Sequence, residues 1–150
     1  MSMPTAIGED RLYVGSRNEY NDLEDDEIDF VLNLCFSCSV SYLNQRSYAH
    51  LPLRDEGHSY RDFEQACDVL WNRYECFDEE MFVYCEKGHS RSVSVASTTV
   101  ALAEDRSFDT ALSEVRTRRG VEVDPVREVE EYGRRYVEEK DKKTTEGDNE

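Results

Sequence analysis

Four short runs rich in β-branched and aromatic residues occur in the first 84 residues of the chain, each followed by polar or turn-forming residues. Runs of this kind predict β-strands. The last of the four is apolar apart from one hydroxyl group, which is typical of a central strand buried on both faces of a sheet. The four runs are RLYVGS at 11–16, DFVLNLCF at 29–36, HLPL at 50–53 and MFVY at 81–84.

Elsewhere the apolar positions recur at helical spacing. After Phe63 they fall 3, 4, 7, 8 and 11 positions further on, which is the stripe of an amphipathic helix. Ser107 is suited to cap one helix, and Asp124 followed by Pro125 is suited to begin another. The predicted helices cover 60–77, 93–104, about 108–118 and a last segment from 124.

Strands early in the chain, followed by a strand, a loop and several helices, predict a single-domain α/β fold. We expect a three-layer sandwich in which a mostly parallel central sheet is flanked by helices. The domain should occupy residues 11–138, after a short N-terminal lead over 1–10. Residues 139–150 lack apolar side chains, and they are predicted to form a disordered acidic tail.

The composition is strongly acidic, with a net charge of −16 and only four lysines beside fourteen arginines. The carboxylates are spread along the whole chain instead of forming one block. In molar salt the Debye length is about 3 Å, so most of the repulsion between them would be screened. This composition indicates a salt-adapted protein.

The chain has five cysteines, an odd number, so any set of intramolecular disulfides would leave at least one of them unpaired. No secretory signal or long apolar run is evident. We therefore expect reduced thiols in a soluble, cytoplasmic protein. Cys35 and Cys38 form a CxxC pair, but zinc is not predicted because no second CxxC or well-spaced histidine pair accompanies it.

The stretch YCEKGHSRS at 84–92 lies between the fourth strand and a predicted helix. A loop in this position binds anions in α/β proteins, because backbone N–H groups and the helix dipole point into the crevice. Gly88 lets the backbone fold around a ligand, and Arg91 can hold two oxygens of a tetrahedral oxyanion. The same positive field favours the thiolate of Cys85, which is then a nucleophile directed at phosphorus.

This loop resembles the Cys-x5-Arg signature of cysteine-dependent phosphatases, specifically the dual-specificity branch of the protein tyrosine phosphatase superfamily. The resemblance extends from about Arg11 to Glu138. LYVGS is similar to the first strand of the family and VLNL to its second. The family usually has a histidine before the cysteine, where it orders the loop; here Tyr84 stands in its place, and its hydroxyl could serve instead.

The resemblance implies a role for each position of the site, with no metal or cofactor. Cys85 is the nucleophile, and Ser92 stabilises its thiolate. Asp55, 30 residues upstream, is the general acid, and the nearby carboxylates Glu56 and Asp62 are lesser candidates. Cys35 is a possible redox partner that would protect Cys85 as a disulfide. The phosphate is held by the loop residues Glu86, Lys87, Gly88, His89, Ser90 and Arg91.

The resemblance therefore predicts a phosphoric monoester hydrolase that acts on phosphotyrosine, and possibly on phosphoserine or phosphothreonine, of proteins. Three alternatives stay open: a pseudophosphatase that binds phosphate without turnover, the same chemistry on a phosphoinositide or an RNA 5′-phosphate, and a rhodanese-like sulfur transferase. We expect a monomer whose partner is a phosphorylated protein or peptide, with no nucleic-acid or membrane partner.

Overall fold

The computed structural model describes residues 5–8, 11–21, 28–36, 47–54, 57–87, 90–120 and 127–147. Five strands and five helices lie in these segments. The strands are β1 (Thr5–Ile7), β2 (Leu12–Ser16), β3 (Phe30–Asn33), β4 (Ser47–His50) and β5 (Met81–Cys85). The helices are α1 (Arg17–Asn21), α2 (Tyr60–Cys76), α3 (Arg91–Glu104), α4 (Phe108–Arg119) and α5 (Arg127–Gly147).

The strands form one sheet in the order β1-β2-β5-β3-β4. β1 is antiparallel to β2, and every other neighbouring pair is parallel. Strand β5 lies at the centre, where all five of its residues are buried. The predicted α/β class with a mostly parallel sheet is confirmed.

Side chains alternate between the two faces of β5. Met81, Val83 and Cys85 point into the larger core, which α2, α3, α4 and α5 cover. Phe82 and Tyr84 point into a smaller core on the opposite face, where α1 contributes Tyr20. Helices therefore lie on both sides of the sheet, as in the predicted three-layer sandwich.

Helices α2, α3 and α4 lie where the apolar spacing predicts them. Ser107 caps α4, because its hydroxyl oxygen accepts a hydrogen bond of 3.1 Å from the Thr110 amide. Helix α3 begins at Arg91, two residues before the predicted start, and its residues from Arg91 to Ala101 are all buried. The predicted start of α5 at Asp124 and Pro125 lies outside the described residues.

The predicted strand at 50–53 is wrong in position, since β4 ends at His50. The next segment still runs beside β3, with the Leu51 amide bonded to the Asn33 carbonyl and the Leu53 amide to the Leu34 carbonyl. These two amides reach carbonyls only one residue apart on the β3 segment, so the regular register ends here, whereas the Pro52 nitrogen faces the open edge of the sheet. The short elements β1 and α1 are absent from the sequence-based prediction.

The predicted tail also needs correction, because α5 extends to Gly147. Two contacts attach its distal part to α2: the Tyr60 hydroxyl donates to Glu139 at 2.9 Å, and the Lys140 ammonium lies 3.1 Å from the Asp68 carboxylate. Polar contacts, which hydrophobic spacing does not detect, hold residues past 138 on the domain. Among the described helices, none is both long and apolar enough to span a bilayer.

A buried ion pair joins the end of α4 to the start of α1. The Arg119 guanidinium donates two hydrogen bonds to the Glu19 carboxylate, of which the Nη1–Oε2 bond is 2.8 Å long. Glu19 also accepts from the Ser16 amide at 3.0 Å, while the Ser16 hydroxyl accepts from the Glu19 amide at 3.2 Å. This reciprocal capping box fixes the carboxylate that receives Arg119.

Candidate active site

Cys85 and Ser92 meet where β5 ends and α3 begins. Their Sγ and Oγ atoms lie 3.2 Å apart, and both side chains are buried. Ser92 Oγ is also 3.3 Å from the carbonyl oxygen of Gly15 in β2, to which it donates. A charged thiolate is a stronger acceptor than a carbonyl oxygen, so ionisation of Cys85 favours transfer of this hydrogen bond to sulfur. The pair is built to stabilise a thiolate.

Arg91 is the first residue of α3, and only 5% of it is exposed. Its Nη1 donates a hydrogen bond of 2.6 Å to the Leu53 carbonyl oxygen, which orients the guanidinium. Its Nη2 lies 4.0 Å from a carboxylate oxygen of Glu86, a half-exposed side chain. The loop thus presents a positioned cation to an anion.

The N-terminus of α3 adds a second source of positive potential. Ser90 precedes the helix, but its side chain makes no capping hydrogen bond, and its buried hydroxyl has no partner among the described residues. Helix N-termini with open N–H groups bind phosphate oxygens. Glu86 and Lys87 are exposed. Gly88 and His89 lie outside the described residues.

Of the three candidate general acids, the structure describes only Asp62. Asp55 and Glu56 lie outside the described residues. Asp62 is exposed in the first turn of α2, where its amide donates to the Ser59 hydroxyl. The Leu53 carbonyl that binds Arg91 belongs to the residue two positions before Asp55 in the sequence.

A buried histidine that the sequence analysis missed fixes the far end of this segment. A ring nitrogen of His58, Nδ1, donates to the Arg54 carbonyl oxygen at 2.5 Å, and the Tyr132 hydroxyl donates to the His58 carbonyl oxygen at 3.2 Å. The ring also stacks on Phe63, with centroids 6.1 Å apart. These contacts hold the ends of the segment 54–58 together. The only sequence signal was a histidine three residues after the candidate acid.

Comparison with known proteins identifies the fold that carries these residues. No family model and no curated protein matches the chain. Among solved structures, human DUSP28 superposes with a TM-score of 0.76 at 17% identity, covering 92% of this chain and 95% of that one. Its tyrosine-to-histidine variant gives 0.79 at 16% identity, covering 95% and 99%. A mouse putative dual specificity phosphatase, complexed with zinc tungstate, gives 0.74 at 19% identity, covering 92% and 89%.

The chain has the dual-specificity phosphatase fold.

In this phosphatase fold, Tyr84 directly precedes Cys85, but its side chain lies on the opposite face of the sheet, in the smaller core. Its ring stacks on Tyr20 with centroids 4.5 Å apart, and its hydroxyl lies 3.5 Å from the Tyr48 hydroxyl. Tyr48 in turn accepts a 2.8 Å hydrogen bond from the Asn33 side chain. Burial, together with the hydrogen bond to Tyr48, raises the pKa of Tyr84, so its hydroxyl stays neutral. Tyr84 therefore links β5 to β3 and β4 behind the site.

The cysteines of this phosphatase fold are distributed over both cores. Cys35 packs in the smaller core and Cys85 in the larger one. The disulfide between them stays a prediction. Burial raises the pKa of the Cys67 thiol, whereas Cys76 is exposed. Cys38 lies outside the described residues.

Proposed function

We propose that this protein is a cysteine-dependent phosphatase that removes phosphate from phosphotyrosine, and also from phosphoserine or phosphothreonine, in proteins. The observation that carries the proposal is the contact between the Cys85 sulfur and the Ser92 hydroxyl at the N-terminus of α3, beside the buried guanidinium of Arg91. A thiol nucleophile, a hydrogen-bond donor to its thiolate and a cation for a phosphate are thereby assembled within eight residues.

In the first step, the Cys85 thiolate attacks phosphorus and forms the P–S bond of a cysteinyl phosphate. The P–O bond to the substrate breaks, and its electron pair leaves with the oxygen. Asp55 donates its proton to that oxygen, so that a neutral alcohol or phenol departs. Arg91 and the amides at the start of α3 stabilise the charge on the phosphoryl oxygens.

In the second step, water attacks phosphorus and the P–S bond breaks, returning its electron pair to sulfur. The Asp55 carboxylate accepts the proton of the water, which restores the acid for the next cycle. Ser92 donates its hydrogen bond to the thiolate that leaves, and this lowers the barrier to hydrolysis of the intermediate. Inorganic phosphate is the second product.

The decisive experiment measures hydrolysis of para-nitrophenyl phosphate and of phosphotyrosyl and phosphothreonyl peptides in molar salt with a chelator present. Cys85→Ser should abolish phosphate release. Asp55→Asn should lower kcat by about 10²- to 10⁴-fold, the usual contribution of general acid–base catalysis. Cys76→Ser, which changes an exposed thiol at the end of α2, is the matched control for Cys85→Ser and should retain activity. Asp62→Asn tests the lesser candidate acid, and it should also retain activity if Asp55 is the general acid.

Each alternative gives a different result in this experiment. A folded wild type that binds the phosphopeptides but releases no phosphate would be a pseudophosphatase. This result would contradict both the phosphatase proposal and the general acid role of Asp55. Faster release from a phosphoinositide or an RNA 5′-phosphate than from peptides would reassign the substrate. Sulfur transfer from thiosulfate without phosphate release would indicate the rhodanese-like chemistry.

A further inference from the structure

Two large apolar side chains are exposed among the described residues, Phe36 at 49% and Phe77 at 50%. Each has an arginine guanidinium over its ring: Arg54 lies 4.5 Å from the centroid of Phe36, and Arg73 lies 4.8 Å from that of Phe77. The pairs are chemically alike but lie at opposite ends of the sheet. Phe77 precedes the start of β5, whereas Phe36 follows the end of β3.

The Phe36–Arg54 pair lies at the end of the sheet where β5 ends at Cys85. The segments that carry it run side by side, since the Leu53 amide donates to the Leu34 carbonyl at 3.1 Å and the His50 ring donates to the Cys35 carbonyl at 2.8 Å. Arg54 directly follows Leu53, the residue whose carbonyl binds the guanidinium of Arg91. Arg54 is therefore one residue along the chain from the carbonyl group that orients Arg91.

An aromatic ring at this rim has a specific use in phosphate ester recognition. Once the phosphate is held at Arg91, the organic group of the ester must extend outward over the rim. A phenyl group can pack against Phe36, while the short side chains of phosphoserine and phosphothreonine offer no ring. Arg54 orients Phe36 by a cation–π contact, and its charge attracts an anion toward a chain with a net charge of −16.

We propose that Phe36, held by Arg54, is a specificity-determining residue that selects aryl phosphates, so that phosphotyrosine is the preferred substrate. This inference rests on the proposed phosphatase function and narrows its substrate class. The contact between Phe36 and the phenyl group of the substrate should change the ratio of phosphotyrosyl to phosphothreonyl kcat/KM by about 3- to 10-fold.

The test compares phosphotyrosyl and phosphothreonyl peptides with identical flanking residues. The measured quantity is the ratio of their kcat/KM values in the wild type, Phe36→Ala, Phe36→Tyr and Phe77→Ala. Phe36→Ala should lower phosphotyrosyl kcat/KM by about 3- to 10-fold and change the phosphothreonyl value less than about 2-fold. Phe36→Tyr should retain the preference because it keeps the ring. Phe77→Ala, the matched control at the opposite end of the sheet, should leave both kcat/KM values unchanged.

The same peptides are also titrated onto Cys85→Ser and onto Cys85→Ser with Phe36→Ala, which separates this inference from the proposed function. If the wild type releases no phosphate, the phosphatase proposal fails, and a selective loss of phosphotyrosyl binding in the double variant would still support the role of Phe36. Equal losses for both peptides, no loss for either, or an equal effect of Phe77→Ala would overturn the inference. A wild-type preference for phosphothreonine would overturn it as well.

Discussion

Ser92 lies between two acceptors, the sulfur of Cys85 and the carbonyl oxygen of Gly15. Its single proton can serve only one of them at a time. In the thiol state, the bond to Gly15 connects α3 to β2; in the thiolate state, the bond to sulfur stabilises the charge. The hydroxyl is therefore a positioning and stabilising group whose contribution depends on the ionisation of its neighbour.

We expect Ser92→Ala to lower kcat by about 10- to 100-fold, because a hydrogen bond to a charged group contributes about 1.5–3 kcal/mol. The loss should be concentrated in hydrolysis of the intermediate, where the thiolate is the leaving group. Rapid-quench kinetics would detect this as an accumulated cysteinyl phosphate and a burst of released alcohol.

Ser97→Ala provides the matched control for this prediction. Ser97 is a buried serine of the same helix, but its hydroxyl donates to the Val93 carbonyl at 2.6 Å, one turn earlier. It should leave kcat within about 2-fold, since an intrahelical bond of this kind contributes little. A burst of the same size in both variants would contradict the assignment of Ser92.

At the scale of elements, the strand β2 that lies beside Cys85 and Ser92 is supported by a contact from a distant part of the chain. Arg119 at the end of α4 binds Glu19 of α1, the helix that directly follows β2. The carboxylate carbon of Glu19 also lies 3.3 Å from the position that a side chain at Gly15 would occupy. The ion pair therefore supports the strand whose Gly15 carbonyl receives the Ser92 hydroxyl.

Arg119→Leu should destabilise the fold by about 3–5 kcal/mol, because it leaves the Glu19 carboxylate buried without its cation. Urea unfolding at neutral pH would measure this loss. The double variant Arg119→Leu with Glu19→Leu should recover part of it, as it removes the buried charge as well. Arg135→Leu, which breaks an exposed pair with Glu139, should change stability by less than about 1 kcal/mol. Equal losses from Arg119→Leu and Arg135→Leu would disprove the role of burial.

Sequence patterns predicted the elements whose signals are local. The stripe after Phe63, the cap at Ser107 and the apolar run of β5 each lie within a few residues, and each is confirmed. The shift of β4 arises because Leu51 and Leu53 bond to consecutive residues of the β3 segment, so that the regular pairing ends after His50.

The difference between local signals and long-range contacts applies to the candidate site as well. Cys85, Arg91 and Ser92 could be predicted because one loop carries all three. The ion pair of Arg119 with Glu19 spans 100 residues, and the burial of Tyr84 in the smaller core depends on contacts with two other elements, α1 and β4. No local spacing encodes such contacts. Salt adaptation and the general acid role of Asp55 stay predictions.

For the whole molecule, the buried phenols set an upper limit on the pH range of stability. Burial, assisted by hydrogen bonds to Tyr48 and Asp68, raises the pKa of Tyr84 and Tyr136 above the ordinary value of 10.0. Above pH about 10 the unfolded chain loses these protons, whereas the folded chain keeps them. The unfolded state then binds fewer protons, so the free energy of unfolding falls as pH rises.

We expect the free energy of unfolding, measured by urea titration, to decrease above pH about 10 by up to about 1.4 kcal/mol per pH unit for each buried phenol. Ultraviolet absorbance of phenolate should show a fraction of the nine tyrosines that ionises only with unfolding. Tyr136→Phe should make the pH dependence less steep, even though it lowers stability at neutral pH by removing the bond to Asp68. An unchanged slope in this variant would contradict the prediction.

The central place of β5 determines how the protein should lose activity on heating. The strand that ends in Cys85 is paired on both edges, and the helix that begins with Arg91 is buried for its first eleven residues. Such elements exchange their amide hydrogens only when the whole domain opens. Cys85 and Arg91 should therefore keep their positions until the whole domain unfolds. For the proposed phosphatase activity, thermal inactivation should coincide with global unfolding, and the residual activity should equal the fraction of folded molecules.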